Sequence, residues 1–281
     1  MDRTSEWLST FNSRNEISSQ ILDSTKSETQ IISITGGKGG VGKTSISLKL
    51  ARELVEKGRK VLLIDSDYNL SNTAIKLGLP LNNTFYSLVS AEKVFEDCLY
   101  KDGNFHLLSA SNGCLDLFDA DFSLEEIVID ILNEHAKEYD FVLIDCPAGL
   151  TKQSLTLNAY SDKRVVVVTP DKSSITDSYS LIKVLSMKYG IKENHLLVNM
   201  VSQKQQFSKV VKTLSETVEN YLGCRTHILG GLRRLNVAAG QFDSEFLTPG
   251  KNSLHQNFLQ VVERLTEKKS VRAMRREQEV H

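Results

Sequence analysis

A chain of 281 residues, 40% hydrophobic and 25% charged, is long enough to bury a large core. A formal net charge of −1 leaves no overall field that would draw it to nucleic acid or an anionic membrane. No run of about 20 apolar residues occurs, which excludes a transmembrane helix. The opening "MDRTSEWLSTFNSRNEISSQ" lacks the apolar stretch of a signal peptide. Cys98, Cys114, Cys146 and Cys224 form no C-x-x-C pair, so no zinc or iron–sulfur signature is present. Reduced, buried thiols in a cytoplasmic protein are expected.

Residues 1–29 are polar and lack Gly and Pro. Trp7, Leu8 and Phe11 share one helical face and Ile17, Ile21 and Leu22 another, so this extension packs on the main domain or binds a partner. From residue 30 the pattern changes. "QIISIT" is a short β-branched run that reads as a buried strand. A glycine-rich turn follows, then a helix over about 43–57, stopped by Gly58. "KVLLID", "FHLLSA", "FVLID", "RVVVVTP" and "HLLVNM" are further strands. Helices are expected over 123–138, 173–188, 206–222 and 253–268, with a short strand at 226–229. Strands that alternate with helices predict an α/β fold: a doubly wound, mostly parallel sheet with helices on both faces. The expected organisation is an extension at 1–29, one domain at 30–266, and a basic tail at 267–281.

"GGKGGVGKT", Gly36 to Thr44, meets G-x-x-x-x-G-K-[ST] from Gly37 and lies between a strand and a helix. That context makes the residue types purposeful. The glycines let backbone N–H groups turn inward around phosphates. The helix that starts near Lys43 aims its positive end at them. Lys43 supplies a cation to the β- and γ-phosphates, and the Thr44 hydroxyl suits Mg²⁺. Lys38 is an extra lysine early in the loop; taken alone, it reads equally as an exposed loop residue.

"KGGVGKT" resembles the deviant phosphate loop of the MinD/ParA ATPases. The resemblance implies ATP as substrate and Mg²⁺ as cofactor, with the nucleotide held by Gly37, Lys38, Gly39, Gly40, Val41, Gly42, Lys43, Thr44 and Ser45. It also implies that Lys38 reaches across an ATP-dependent homodimer to the partner's phosphates. "LLIDSDYNLSN" is similar to the family's D-x-D-x-x-L-x-N segment, which implies Asp65 near Mg²⁺ and Asp67 positioning the attacking water. Two aspartates at the C-terminal end of a buried strand stand where open α/β sheets bind ligands. "FVLIDCPAG" resembles the Walker B strand and switch, with Asp145 near Mg²⁺ and Pro147, Ala148 and Gly149 sensing the γ-phosphate. Asn199 in "LLVNM" matches the residue that pairs with adenine.

Within the family the order and spacing of "DSDYNLSNTAIKLGL", "FEDCLY", "FHLLSASNG" and "LLVNMV" resemble the FlhG/FleN flagellar-number regulators. The implied function is an ATP-driven dimer switch with slow hydrolysis that controls the placement or number of flagella. Its partner would be a flagellar SRP-type GTPase or regulator. The N-terminus does not show the Asp-Gln-Ala motif with which those relatives stimulate their GTPase. Where the family carries Ile-Pro to enclose the base, "ILGGLRRLNVAAGQ" is expected to place Gly230-Gly231, with Arg233 and Arg234 as extra charge. Peripheral contact with the inner membrane face would use Trp7, Leu8 and Phe11, or the tail cations Lys268, Lys269, Arg272, Arg275 and Arg276. A DNA-partitioning ATPase is the alternative. It would want a basic stripe, and Lys204, Lys209, Lys212, Arg233 and Arg234 are scattered. A metabolic ATP-dependent enzyme on the same scaffold is a third reading.

Overall fold

The computed structural model describes residues 29–67, 73–79, 87–88, 90, 92–109, 123–237, 242–247 and 253–267. The expectations placed on the N-terminal extension, on Leu70 and Asn72, on Cys114 and on the basic tail fall outside the described residues.

An eight-stranded sheet runs in the order β3-β4-β2-β5-β1-β6-β7-β8. Its strands are β1 (Gln30–Thr35), β2 (Val61–Asp65), β3 (Tyr100–Asp102), β4 (Phe105–Leu108), β5 (Phe141–Asp145), β6 (Lys163–Val168), β7 (Glu193–Val201) and β8 (Arg225–Arg233). Every pairing is parallel except the β3–β4 edge. β2 and β5 are buried throughout, as expected for strands covered on both faces. The helices are α1 (Lys43–Glu56), α2 (Thr73–Lys76), α3 (Leu124–His135), α4 (Lys152–Tyr160), α5 (Lys172–Tyr189), α6 (Lys204–Leu222), α7 (Phe242–Leu247) and α8 (Ser253–Thr266).

The two faces of each strand feed separate cores. Ile32, Ile34, Leu63, Leu143 and Val165 meet α1, α7 and α8 on one side. Leu62, Ile64, Val142 and Ile144 meet α3 and α4 on the other, where Val166, Val168 and Val198 meet α5 and α6. Leu254, Phe258, Val261, Val262 and Leu265 of α8 are all buried in the first core. Exposing any one of them would cost roughly 1.5–3 kcal/mol, so this face belongs to the protein interior and not to a lipid surface. An enclosed ion pair within α1 faces α8. Lys49 Nζ lies 2.9 Å from Glu53 Oε1 on α1, and His255 Nδ1 of α8 lies 3.4 Å from the same oxygen.

Among these strands and helices, four were not anticipated: α2, only four residues long, β3, α4 and α7. β3 is a three-residue exposed edge strand, too short to show a pattern. α4 has no apolar stripe because every residue from Ser154 to Tyr160 is buried, so the helical period has no polar side to reveal it. α7 is only six residues long. β8 also runs further than the expected 226–229. Gly230 and Gly231 pair with Leu197 and Val198 inside the sheet, across a register shift. A Cβ on Gly231 would lie 2.7 Å from the Phe207 ring, so glycine there lets α6 approach the strand closely. The pair therefore does not stand in the loop that follows β8, which begins at Arg234.

Candidate functional site

The loop from Gly36 to Gly42 joins the C-terminal end of β1 to α1. Gly42 adopts φ 95°, a left-handed conformation that costs other residues about 1–2 kcal/mol. Space is restricted as well, since a Cβ there would lie 2.5 Å from Asn199 Nδ2. Asn199 sits near the end of β7. Its Nδ2 donates to the Val41 carbonyl at 2.8 Å, and its Oδ1 accepts from Met200 N at 2.9 Å. In this structure Asn199 therefore braces the loop. On the other side Gly37 lies against the Asp177 backbone of α5. Gly39 and Gly40 are exposed at the loop crest. Lys43 is buried at the start of α1, and Thr44 is half-buried beside it. Ser45 Oγ donates to Asp243 Oδ1 at 3.2 Å, and Asp243 also takes Lys76 Nζ at 2.7 Å.

Asp65 and Asp145 end neighbouring strands and are register partners in the β2–β5 ladder. Both are about 1% exposed. Asp145 Oδ1 accepts from Ser47 Oγ at 3.2 Å, but among the described residues Asp145 Oδ2 is buried without a hydrogen-bond partner. Burial pushes the Asp145 pKa up and the Asp65 charge adds to the rise; the Thr44 hydroxyl, Lys43 and Ser47 oppose it. Asp65 accepts from the Thr73 hydroxyl and, at 3.1 Å, from Asp67 N. Two enclosed carboxylates with an orphaned oxygen make a site short of positive charge. Its nearby donors are all oxygens, which suits a hard cation such as Mg²⁺. The residues present fit the expected metal.

Lys38 is exposed and turned onto its own chain. Its Nζ donates to Ser173 Oγ at 2.8 Å and lies 3.3 Å from Asp171 Oδ1. Asp171 caps α5 and accepts from Ser174 N at 2.9 Å. Hydrogen bonds from the Thr169 hydroxyl first, then from Ser173, Ser174 N and Lys38, hold its carboxyl well below the usual carboxylate range, against a smaller opposing effect of burial. A cavity of about 320 Å³ opens beside the loop, lined by residues that include Lys38, Val41, Pro170, Met200, Gln206 and Arg234. Among the described residues after β8, Arg234 lines this cavity. Gly230-Gly231, expected where the family's Ile-Pro opens the base-enclosing segment, lie within β8 instead.

Pro147, Ala148 and Gly149 follow β5 after Cys146, and Gly149 N donates to the Gly36 carbonyl at 3.3 Å. The switch segment and the phosphate loop are thus in contact. Asp67 is half-buried, two residues beyond Asp65. Sequence reasoning brought the loop, the three aspartates and the switch to one end of the sheet, and the structure has them together. It missed Ser47, Asp171, Asp243 and Gln153. Ser47 lies four residues after Lys43 and shares its helix face, and "DKSS" is a helix-capping pattern, so these two were findable. Asp243 and Gln153 lie on α7 and α4, which carried no periodic signal.

A strand, a glycine loop closed by Lys43-Thr44, and paired acids at adjacent strand ends define a P-loop nucleotide-binding protein. A family described as an AAA domain matches residues 29–218. The chain is 28% identical over 202 residues to the antiactivator FleN of Pseudomonas aeruginosa, covering 72% of each. It is 31% identical to the flagellum site-determining protein YlxH of Helicobacter pylori, covering 75% of this chain and 72% of that one. The septum site-determining protein MinD of Pyrococcus horikoshii, solved with Mg-ADP, superposes with a TM-score of 0.70 at 25% identity, over 85% of this chain and 97% of that one. The chain belongs to the MinD/ParA family of P-loop ATPases and is FlhG/FleN-like within it.

Proposed function

We propose that this chain is a slow, regulatory ATPase whose ATP-bound state is a homodimer, and that it governs the placement or number of flagella. The observation that carries the ATPase reading is the juxtaposition of Asp65 and Asp145, with its orphaned Oδ2, beside the Lys43-Thr44 end of the glycine loop. Lys43 neutralises phosphate charge, and the N–H groups of the loop and of the first turn of α1 cradle the phosphates. Thr44, Asp65 and Asp145 would hold Mg²⁺, which when bound neutralises charge on the β- and γ-phosphates. Asp67 orients water for in-line attack on the γ-phosphorus, and Pro147-Ala148-Gly149 respond to the presence of that phosphate. The cavity lined by Met200, Gln206 and Arg234 has room for the base and ribose. Asn199 Nδ2 carries two N–H donors, one of which holds the Val41 carbonyl, so the other is available to read the base while the loop stays braced.

Lys38, freed from Asp171 and Ser173, supplies its charge to the partner's phosphates, which makes dimerisation depend on ATP. The flagellar reading is supported by the FleN and YlxH relatives. Its partner is a flagellar regulator or GTPase, with a peripheral membrane contact as a further part of this reading. Among the described residues no helix is long and apolar enough to cross a membrane.

The test is calorimetry with ATP and Mg²⁺ on the parent and on Lys43→Ala. The parent should bind and the variant should lose affinity by two orders of magnitude or more. Equal affinity in both would overturn the reading. Deletion of the gene in a flagellated host, scored by flagellar count and position, tests the cellular role.

A further inference from the structure

We propose that Gln153 is a positioning residue for hydrolysis, holding the peptide that carries Asp67. The inference rests on the ATPase reading above. Gln153 Nε2 donates to the Ser66 carbonyl at 2.7 Å, across 87 positions of sequence. That carbonyl is one half of the Ser66–Asp67 peptide group. The other half, Asp67 N–H, donates to Asp65 Oδ1 at 3.1 Å. The peptide plane is therefore held at both ends, one by a metal-site carboxylate and the other by Gln153. A fixed plane limits the rotations on either side of it, and so limits where the Asp67 carboxylate can point.

The remaining restraints reach Ser66 but not that plane. Ser66 N and Oγ both donate to the Asp145 carbonyl, at 3.1 and 2.7 Å. They clamp the start of the turn to β5 and leave the Ser66 carbonyl to another donor. Among the described residues, Gln153 is the side chain that supplies one.

Gln153 projects from a rigid base. It is the second residue of α4, whose Thr151 cap accepts from Ser154 N at 3.1 Å. Asn158 of the same helix is fully buried, donates to Thr35 Oγ1 at 3.0 Å and accepts from Ser33 Oγ at 2.9 Å, which locks α4 to β1. α4 begins at Lys152, with Leu150 and the cap Thr151 between it and Pro147-Ala148-Gly149. A shift in the switch is thereby delivered through one side chain to the turn that carries Asp67. Positioning groups set on a helix hold a reacting group more closely than groups on a loop.

A merely structural contact would satisfy a buried carbonyl and contribute stability without affecting turnover. The experiment separates the two. Gln153→Glu keeps the shape but, when ionised, has no donor for a carbonyl, and Gln153→Met removes the donor without adding charge. Gln153→Lys restores a donor. Single-turnover hydrolysis and calorimetric ATP affinity are measured on all four proteins at pH 8. Displacing a positioned group by a fraction of an ångström costs on the order of tenfold in rate. Gln153→Met and Gln153→Glu should each lose about that much, with ATP affinity within about twofold of the parent, and Gln153→Lys should recover most of the loss. Parental rates in the first two variants would overturn the inference, as would a loss of ATP affinity in step with the loss of rate. If one of the two fails to fold, the other decides by the same criteria. A parent that binds ATP and never hydrolyses it would instead refute the ATPase reading, and this inference with it.

Discussion

Gly42 and Asn199 should be energetically coupled, and the coupling can be computed from the loop. Gly42→Ala pays twice. The left-handed φ of 95° costs an alanine about 1–2 kcal/mol. Its Cβ also falls 2.5 Å from Asn199 Nδ2, too close to coexist with the 2.8 Å bond to Val41. Pushing the amide away forfeits that bond and leaves the buried Val41 carbonyl unpaired, a further 1–3 kcal/mol or so. The single variant should therefore lose about 2–5 kcal/mol in urea denaturation. Asn199→Ala loses the second contribution alone, about 1–3 kcal/mol. In the double variant the clash has no partner, so only the conformational cost is added. The cycle should be short of additivity by about 1–3 kcal/mol. Four urea curves decide it. Sums that agree within about 0.5 kcal/mol would mean that the loop relaxes around the new methyl group, and that Asn199 is not the brace.

Three other outcomes follow from the site. Lys38→Ala should leave ATP affinity near the parental value, because its Nζ rests on Asp171 and Ser173 in the single chain, but light scattering with ATP should find a monomer where the parent dimerises. Asp67→Ala should lose on the order of 10²-fold or more in single-turnover hydrolysis with little loss of binding, and should accumulate as the ATP dimer; a parental rate would pass the water-positioning role to Asp65. Asp145→Asn should stabilise the metal-free protein by on the order of 1 kcal/mol at neutral pH while weakening Mg²⁺-dependent nucleotide binding. The sign follows from its raised pKa. The folded state holds its proton to higher pH than the unfolded chain does, so parental stability falls as pH rises from the ordinary carboxylate range through the folded value. The variant should lack that slope, and urea titrations between about pH 4 and 8 compare the two.

Local chemistry made much of this protein legible. The run "QIISITGGKGGVGKT" has one economical reading, because consecutive β-branched residues need a covered strand and the glycines need a ligand or a tight turn. β1, the start of α1 and β5 lie where those patterns indicated. Asp65 and Asp145 could likewise be assigned to one end of the sheet, since parallel strands bring all their C-terminal ends together. What depended on packing between distant segments was not legible. α4 escaped because complete burial erases the period that marks a helix, and Gln153 escaped with it. β8 looked short because its glycines read as a loop, and the ring of Phe207 that requires one of them belongs to another helix. Asn199 carried a motif, yet its hold on Val41 spans 158 positions and exists only once β7 has been laid beside the loop. The pairing of Lys38 with Asp171 has the same origin: each residue announces itself locally, as a loop cation and a helix cap, and only the folded sheet sets them 3.3 Å apart.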